Sequence, residues 1–259
     1  MNFQGKTIVV TGAGSGMGRT ESSMLARRGA KVWVTDIADA PGHVVVDEII
    51  ADGGTAEFVR LDVTDPASWT ELASRIESVD GTLDGLVNNA GVSHRSGIEE
   101  TSVEDWHRVM DINLSSVFYG MKYCAPLLKK GDGGSVVNVS SIAGMLGYFA
   151  AGYGASKWGV RGLSKVGALE FAEHGVRVNS IHPGLVDTPL LHSGSSTFVD
   201  TSLQSVPAGR VADAEEIAES VAFLLSDAAR YITGTELVVD GGLTSGGIYH
   251  RITNELKAT

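Results

Sequence analysis

"KTIVVTGAGSGMGRT", residues 6–20, decides the fold. A short β-branched run meets a cluster of glycines spaced Gly12-x-x-x-Gly16-x-Gly18, and a segment of helical character (17–29) follows. Glycines permit positive φ and let a backbone approach a pyrophosphate, while helix-end N–H groups point at an anion. The spacing departs from the G-x-G-x-x-G fingerprint, so it reads as a variant phosphate-binding turn between a first strand and a first helix. Gly12, Ser15, Gly16, Met17 and Gly18 are its candidate residues.

The next strand supports that reading. "KVWVTDIAD" (31–39) places Asp36 at about the distance where an acidic residue binds a ribose 2′-OH. A carboxylate there accepts hydrogen bonds from a free diol and repels a 2′-phosphate. Ser15 and Ile37, where a phosphate-binding cation would sit, are neutral. These residues favour NAD over NADP, with Arg19 as the one nearby guanidinium able to argue the other way.

Further strand-like runs recur at 56–61, 83–88, 134–140, 176–181 and 235–240. Several are almost continuous in Val, Ile and Leu, as expected when both faces of a strand are covered. Helical segments fall between them at 42–52, 66–79, 103–130, 152–174 and 213–226. Asp65 followed by Pro66 marks one helix start, and Asp213 before an acidic turn marks another. Strand–helix alternation predicts an α/β fold with a doubly wound, seven-stranded parallel sheet and helices on both faces, in one domain over 1–259. Residues 187–212 break the rhythm and are rich in Ser, Thr, Gly and Pro, which suggests a substrate-binding loop or lid.

Composition narrows the function. The 259 residues carry a formal net charge of −11 and no Lys/Arg-rich run, the wrong sign for a nucleic-acid groove or an anionic membrane. No stretch approaches the roughly 20 apolar residues of a membrane span. Cys124 is the only cysteine, so neither an intrachain disulfide nor a cysteine-based metal cluster is available. The apolar run at the N-terminus is short for a signal peptide, and a cytoplasmic location is expected. His43, His94, His107, His174, His182, His192 and His250 form no metal-ligating pair, so no metal is expected.

In order along the chain, "TGAGSGMG" (11–18), "LDVTD" (61–65), "LVNNAGV" (86–92), "MDINLSSVF" (110–118), "VVNVSSIAG" (136–144), "YGASK" (153–157), "RVNSIHPGLVDTP" (177–189) and "VVDGG" (238–242) together resemble the short-chain dehydrogenase/reductase family. The resemblance implies a Rossmann fold, a nicotinamide coenzyme and a small alcohol or ketone as the partner molecule. It implies that Asp62 and Val63 border the adenine and that Asn89, Ala90 and Gly91 line the coenzyme cleft. It also implies that Pro183, Gly184 and Val186 contact the coenzyme and that Thr188 approaches its nicotinamide end.

Tyr153 and Lys157 then acquire a meaning. Four residues apart on a helix, they share a face. A phenol titrates near 10 and is a poor base at neutral pH until a neighbouring cation draws that value down. The resemblance assigns Tyr153 the acid–base role and gives Lys157 to the phenol and the nicotinamide ribose. It also implies that Ser141 steadies the substrate oxygen and that Asn113 holds a water leading from Lys157 to solvent. Only twelve positions separate Ser141 from Tyr153, one fewer than the family pattern, so Ser140 is the alternative.

The implied reaction is NAD-dependent interconversion of a secondary alcohol and a ketone. Similarity of "YGASKWGVRGLSK" and "VRVNSIHPG" to bacterial hydroxysteroid dehydrogenases points to an alicyclic or steroid-like substrate. Met145, Leu146, Tyr148, Phe149, Leu190 and Leu191 are the apolar pocket candidates. A reductase of linear 3-oxoacyl substrates and a catalytically silent dinucleotide sensor are the alternatives; a serine hydrolase finds no G-x-S-x-G elbow. Family analogy further suggests a homotetramer built on 103–130, 152–174 and the last strand.

Overall fold

A computed structural model describes residues 1–131 and 133–258. The strands are β1 (Thr7–Thr11), β2 (Lys31–Asp36), β3 (Thr55–Arg60), β4 (Gly85–Asn88), β5 (Ser135–Val139), β6 (Arg177–Pro183) and β7 (Glu236–Val239). They form one sheet in the order β3-β2-β1-β4-β5-β6-β7, with every pairing parallel. Chain order therefore reverses between β1 and β4, where the connections leaving the carboxyl ends diverge and open a crevice.

The helices are α1 (Gly16–Arg27), α2 (Asp39–Ala51), α3 (Pro66–Val79), α4 (Val103–Met110), α5 (Ser116–Leu128), α6 (Ala151–Phe171), α7 (Pro189–His192), α8 (Ser196–Leu203), α9 (Ala214–Leu225) and α10 (Leu243–Ala258). Strand side chains alternate between two cores, as a period of two requires. Ile8, Val10, Val32 and Val34 pack under α1, α2 and α9 with Leu25, Ile49 and Val221. Val9, Trp33, Leu86 and Val136 pack under α3, α5 and α6 with Trp69, Leu128 and Phe171.

Local chemistry sets several boundaries. Asp65 caps α3 by accepting from the N–H groups of Ala67 and Ser68, with Pro66 in the first turn. Asp213 and Glu216 form a reciprocal capping box on α9. The expected single helix over 103–130 is instead α4, a π-helical turn at Asp111–Ser115, and α5. Residues 187–212 hold two short helices, α7 and α8, and the C-terminal segment is α10, mostly exposed on this chain.

Glu21 of α1 is fully buried, and neither carboxylate oxygen has a hydrogen-bond partner among the described residues. Burial pushes its pKa from 4.5 up to about 8. Between those values the folded protein keeps a proton that the unfolded chain has released, so stability falls as pH rises through that window. The full loss above it is on the order of 5 kcal/mol. Glu21→Gln keeps the shape and removes the titration. In urea melts the variant should match wild type near pH 4 and exceed it by a few kcal/mol near pH 9; a constant difference at all pH values would contradict the assignment.

Candidate active site

The crevice is built from the strand ends inward. Thr11 closes β1, and its Oγ1 accepts from the N–H groups of Asn89 and Ala90, both at 3.0 Å. Asn89 Nδ2 donates back to the carbonyls of Thr11 at 2.9 Å and Gly12 at 3.3 Å. This clasp brings the first turn against the chain leaving β4, so closely that a Cβ on Gly12 (φ +62°) would lie 2.9 Å from Ala90 Cα. Gly18 serves the same packing. Its hypothetical Cβ would meet the Gly12 carbonyl oxygen at 2.4 Å, and it stands behind the turn rather than in the cavity wall.

A cleft of about 550 Å³ runs along these ends. Gly12, Ser15, Gly16, Met17, Asp36, Asp62, Val63, Asn89, Ala90, Gly91 and Thr188, all expected coenzyme contacts, stand in its wall. The Asp36 carboxylate pins the glycine turn: Oδ2 accepts from Gly14 N at 2.9 Å and Oδ1 from Ala38 N at 3.0 Å. Arg19 is bound at both carboxylate oxygens of Glu48, 2.6 and 2.8 Å away. Asp62 turns its carboxylate onto Thr64, accepting from both the N–H and the hydroxyl.

The tyrosine–lysine pair lies where α6 passes the end of β5. Lys157 Nζ donates to the Val139 carbonyl at 2.9 Å, and Ser140 Oγ donates to the Lys157 carbonyl at 2.8 Å. Two bonds in opposite senses thus fix residue 157 against residues 139 and 140. Gly144 permits the approach, since a Cβ there would come 2.6 Å from the Lys157 carbonyl oxygen. One helical turn earlier, Tyr153 meets the Ser141 hydroxyl. The next turn of chain, Ile142–Gly144, is fastened to Ser141 by the bond from Ala143 N to Ser141 Oγ, 3.1 Å. Ser140 is spent on the helix backbone; Ser141 is the serine that faces the phenol.

Burial dominates the electrostatics. It pushes Lys157 from 10.5 down to about 8. It pushes the Tyr153 phenol above its ordinary value, and the Ser141 hydrogen bond and the positive charge of Arg95 only partly oppose it. Burial thus outweighs the downward pull on this phenol that the sequence reading expects, while the Lys157 ammonium, bound to the Val139 carbonyl, lies 5.7 Å from the ring centroid. Asn113, in the π turn, accepts from Val92 N at 2.8 Å through Oδ1. Its Nδ2 donates to Val92 O at 2.9 Å and Ser156 Oγ at 3.2 Å. A Cβ on Gly91 would sit 3.4 Å from Asn113 Oδ1 and 3.5 Å from Lys157 Nζ, so glycine keeps the space between amide and ammonium open.

A second cavity of about 330 Å³ joins the cleft through Met17, Thr188 and Leu190, which line both. Tyr153, Ser141, Pro183, Gly184 and Val186 stand in its wall, together with the expected Leu146, Tyr148, Phe149, Leu190 and Leu191; Met145 does not. Phe149 and Phe198 of α8 meet edge to face at 5.7 Å. The sequence reading missed Ser93, Arg95, Phe198 and Leu243. Their only signal is position: Ser93 and Arg95 follow "NNAG" directly, whereas Phe198 and Leu243 are brought in by the lid and by the last helix. Among the described residues no group of His, Cys, Asp and Glu could hold a metal ion, and no helix is long and apolar enough to cross a membrane.

Comparison with known proteins agrees with this arrangement. A family model described as enoyl-(acyl carrier protein) reductase matches residues 12–244. Cyclohexanol dehydrogenase of Acinetobacter sp. (strain SE19) is 42% identical over 246 residues, covering 94% of this chain and 96% of that protein. Trans-4-hydroxycyclohexanecarboxylate dehydrogenase of Sinomonas cyclohexanicum is 40% identical over 248 residues, 93% of each. The structure of a short-chain type dehydrogenase/reductase from Mycobacterium ulcerans superposes with a TM-score of 0.90 at 33% identity, covering 94% of this chain and 91% of that one. Another, from Agrobacterium tumefaciens and with NADP bound, gives a TM-score of 0.86 at 35% identity over 94% and 98%. A family match over most of the chain, relatives 40 and 42% identical along nearly their whole length and a closely superposing fold together show that the chain belongs to the short-chain dehydrogenase/reductase family.

Proposed function

We propose that this chain is an NAD-dependent dehydrogenase that interconverts a secondary ring alcohol and its ketone. The observation that carries the reading is the floor of the smaller cavity. There a buried phenol and the Ser141 hydroxyl meet beneath an apolar, aromatic wall, where that cavity opens into the glycine-lined cleft. The similarity to a cyclohexanol dehydrogenase supports an alicyclic substrate.

The cleft suits a dinucleotide. No side chain caps the first turn of α1, and Gly16 and Met17 of that turn stand in the wall, leaving N–H donors for a pyrophosphate. Asp36 supports NAD: its carboxylate stands at the end of β2, and Arg19, held by Glu48, is not offered to a 2′-phosphate. Bound there, NAD⁺ supplies the ring carbon that accepts the hydride, and its positive charge.

The protein's own groups handle the oxygen and the proton. Ser141 hydrogen-bonds the substrate oxygen and holds it as charge develops. Tyr153 Oη takes the alcohol proton during oxidation and returns it during reduction. Lys157 holds a positive charge beside the phenol and keeps α6 in register with β5. The opening at Gly91 gives its proton a water path past Asn113. Residues 187–212, with α7 and α8 over the smaller cavity, act as the lid. Exposed Phe118, Trp158, Val166 and Leu169 on α5 and α6 support burial of these helices in a homotetramer.

Three measurements test this reading. Incubation with NAD⁺ and a panel of cyclic secondary alcohols should produce NADH; coenzyme binding without turnover of any alcohol or ketone would indicate a sensor instead. Tyr153→Phe should lower kcat about 1,000-fold and Ser141→Ala about 100-fold. Ser140→Ala should act mainly by lowering the melting temperature, through a lost bond worth about 1 kcal/mol. Equal effects of the two serine changes on kcat would overturn the assignment. Asp36→Ala should reduce the ratio of kcat/KM for NAD⁺ over NADP⁺ by at least about 30-fold, since it removes a like-charge repulsion. An unchanged ratio would refute the role of Asp36.

A further inference from the structure

Arg95 is the one charged side chain among the described residues in the wall of the smaller cavity, where it stands among apolar, aromatic and hydroxyl groups. Among the described residues no carboxylate pairs with it; its hydrogen bonds run to neutral groups of the lid, Leu190 O at 2.8 Å and Ser193 Oγ at 3.1 Å. Its Nε is buried and makes no hydrogen bond. The guanidinium lies against Gly194, where a Cβ would come 3.0 Å from Cζ, so the lid is shaped to admit it. Its charge reaches both phenols of the cavity, Tyr148 and Tyr153. The chain as a whole has an excess of acids, 31 against 20 basic residues, yet none of the described acids lines this cavity beside Arg95. A planar guanidinium that lines a cavity with a buried, unspent Nε donor matches a carboxylate in both charge and geometry.

We infer that Arg95 is a specificity residue that receives a carboxylate carried by the substrate ring, at a position away from the carbon oxidised at Tyr153. The inference rests on the ring-alcohol reading above and sharpens it: the substrate class is a hydroxycycloalkane carboxylate or the corresponding oxo acid. The carboxylate supplies the missing counter-charge, and the lid contacts of Arg95 then couple its capture to closure of α7 and α8 over the ring. The aromatic wall of Tyr148, Phe149 and Phe198 covers the carbon skeleton between the two polar ends.

The test compares 4-hydroxycyclohexanecarboxylate with its isosteric, uncharged carboxamide and with cyclohexanol, at saturating NAD⁺. Wild type should favour the acid over the amide by at least about 30-fold in kcat/KM, carried mostly by KM. Arg95→Met should remove most of that preference, and Arg95→Lys, which keeps the charge but loses the fork, should retain an intermediate part. Reading a ratio cancels any uniform effect of loosening the lid. Cyclohexanecarboxylate, which cannot react, should compete with the acid in wild type and fail to do so in Arg95→Met. An acid-to-amide ratio near one in wild type, or equal losses on both substrates in Arg95→Met, would reduce Arg95 to a lid latch and overturn the inference while leaving the ring-alcohol reading intact. Failure of all three alcohols to yield NADH would sink both.

Discussion

Two opposed hydrogen bonds between α6 and the end of β5 hold the rest of the site in place. Lys157 gives its ammonium to the Val139 carbonyl, and Ser140 gives its hydroxyl to the Lys157 carbonyl. With residue 157 fixed at both ends, the preceding helical turn has one place to go, and Tyr153 arrives at Ser141. The same contact depends on an absent atom elsewhere, because Gly144 leaves the space that the helix backbone occupies. Burying that ammonium disfavours its charged form by about 3 kcal/mol, the equivalent of its fall from 10.5 to about 8. A desolvated lysine buried against the cleft-lining Gly91 is the physical sign of a functional constraint.

That burial also changes the electrostatic account of the phenol. Adjacency of an amine is not enough: the protein alone moves Tyr153 away from the working range, and its own opposing influences are the Ser141 hydroxyl and Arg95. In the proposed reaction the phenol is therefore activated by loading of the cleft, which adds a positive charge and closes the site around it. Coupling base activation to coenzyme binding keeps a buried phenolate from forming when there is no alcohol to deprotonate. Arg95 belongs to the same balance, since it links the lid, the phenols and the charge of the substrate.

Much of this was legible in the sequence because it rests on short, local patterns. Parallel strands buried on both faces appear as unbroken Val, Ile and Leu runs; the glycine turn, the Asp36 position and the Asp65–Pro66 helix start each follow from backbone sterics. The illegible parts depend on contacts distant in sequence. The π turn at Asp111–Ser115 lies within an uninterrupted helical pattern, and side-chain bonds from Asn113 to Val92 and Ser156 occupy it. Ser140 and Ser141 are identical as letters, and what separates them is which hydroxyl the backbone of α6 captures. Gly18 reads as a phosphate contact, yet its missing side chain serves the packing of α1 on Gly12 and Asn89. Arg95 sits in no motif and acquires meaning only once the lid, about 95 residues further along, folds over it.

The central claim is that the acid–base tyrosine is kept protonated by burial and released by the coenzyme. Ultraviolet difference titration, wild type minus Tyr153→Phe, isolates the phenolate of this one residue. The midpoint should lie above the ordinary value of about 10 in the free protein and fall once NAD⁺ is bound. A midpoint already well below 10 without coenzyme, or one that NAD⁺ leaves unmoved, would contradict that claim.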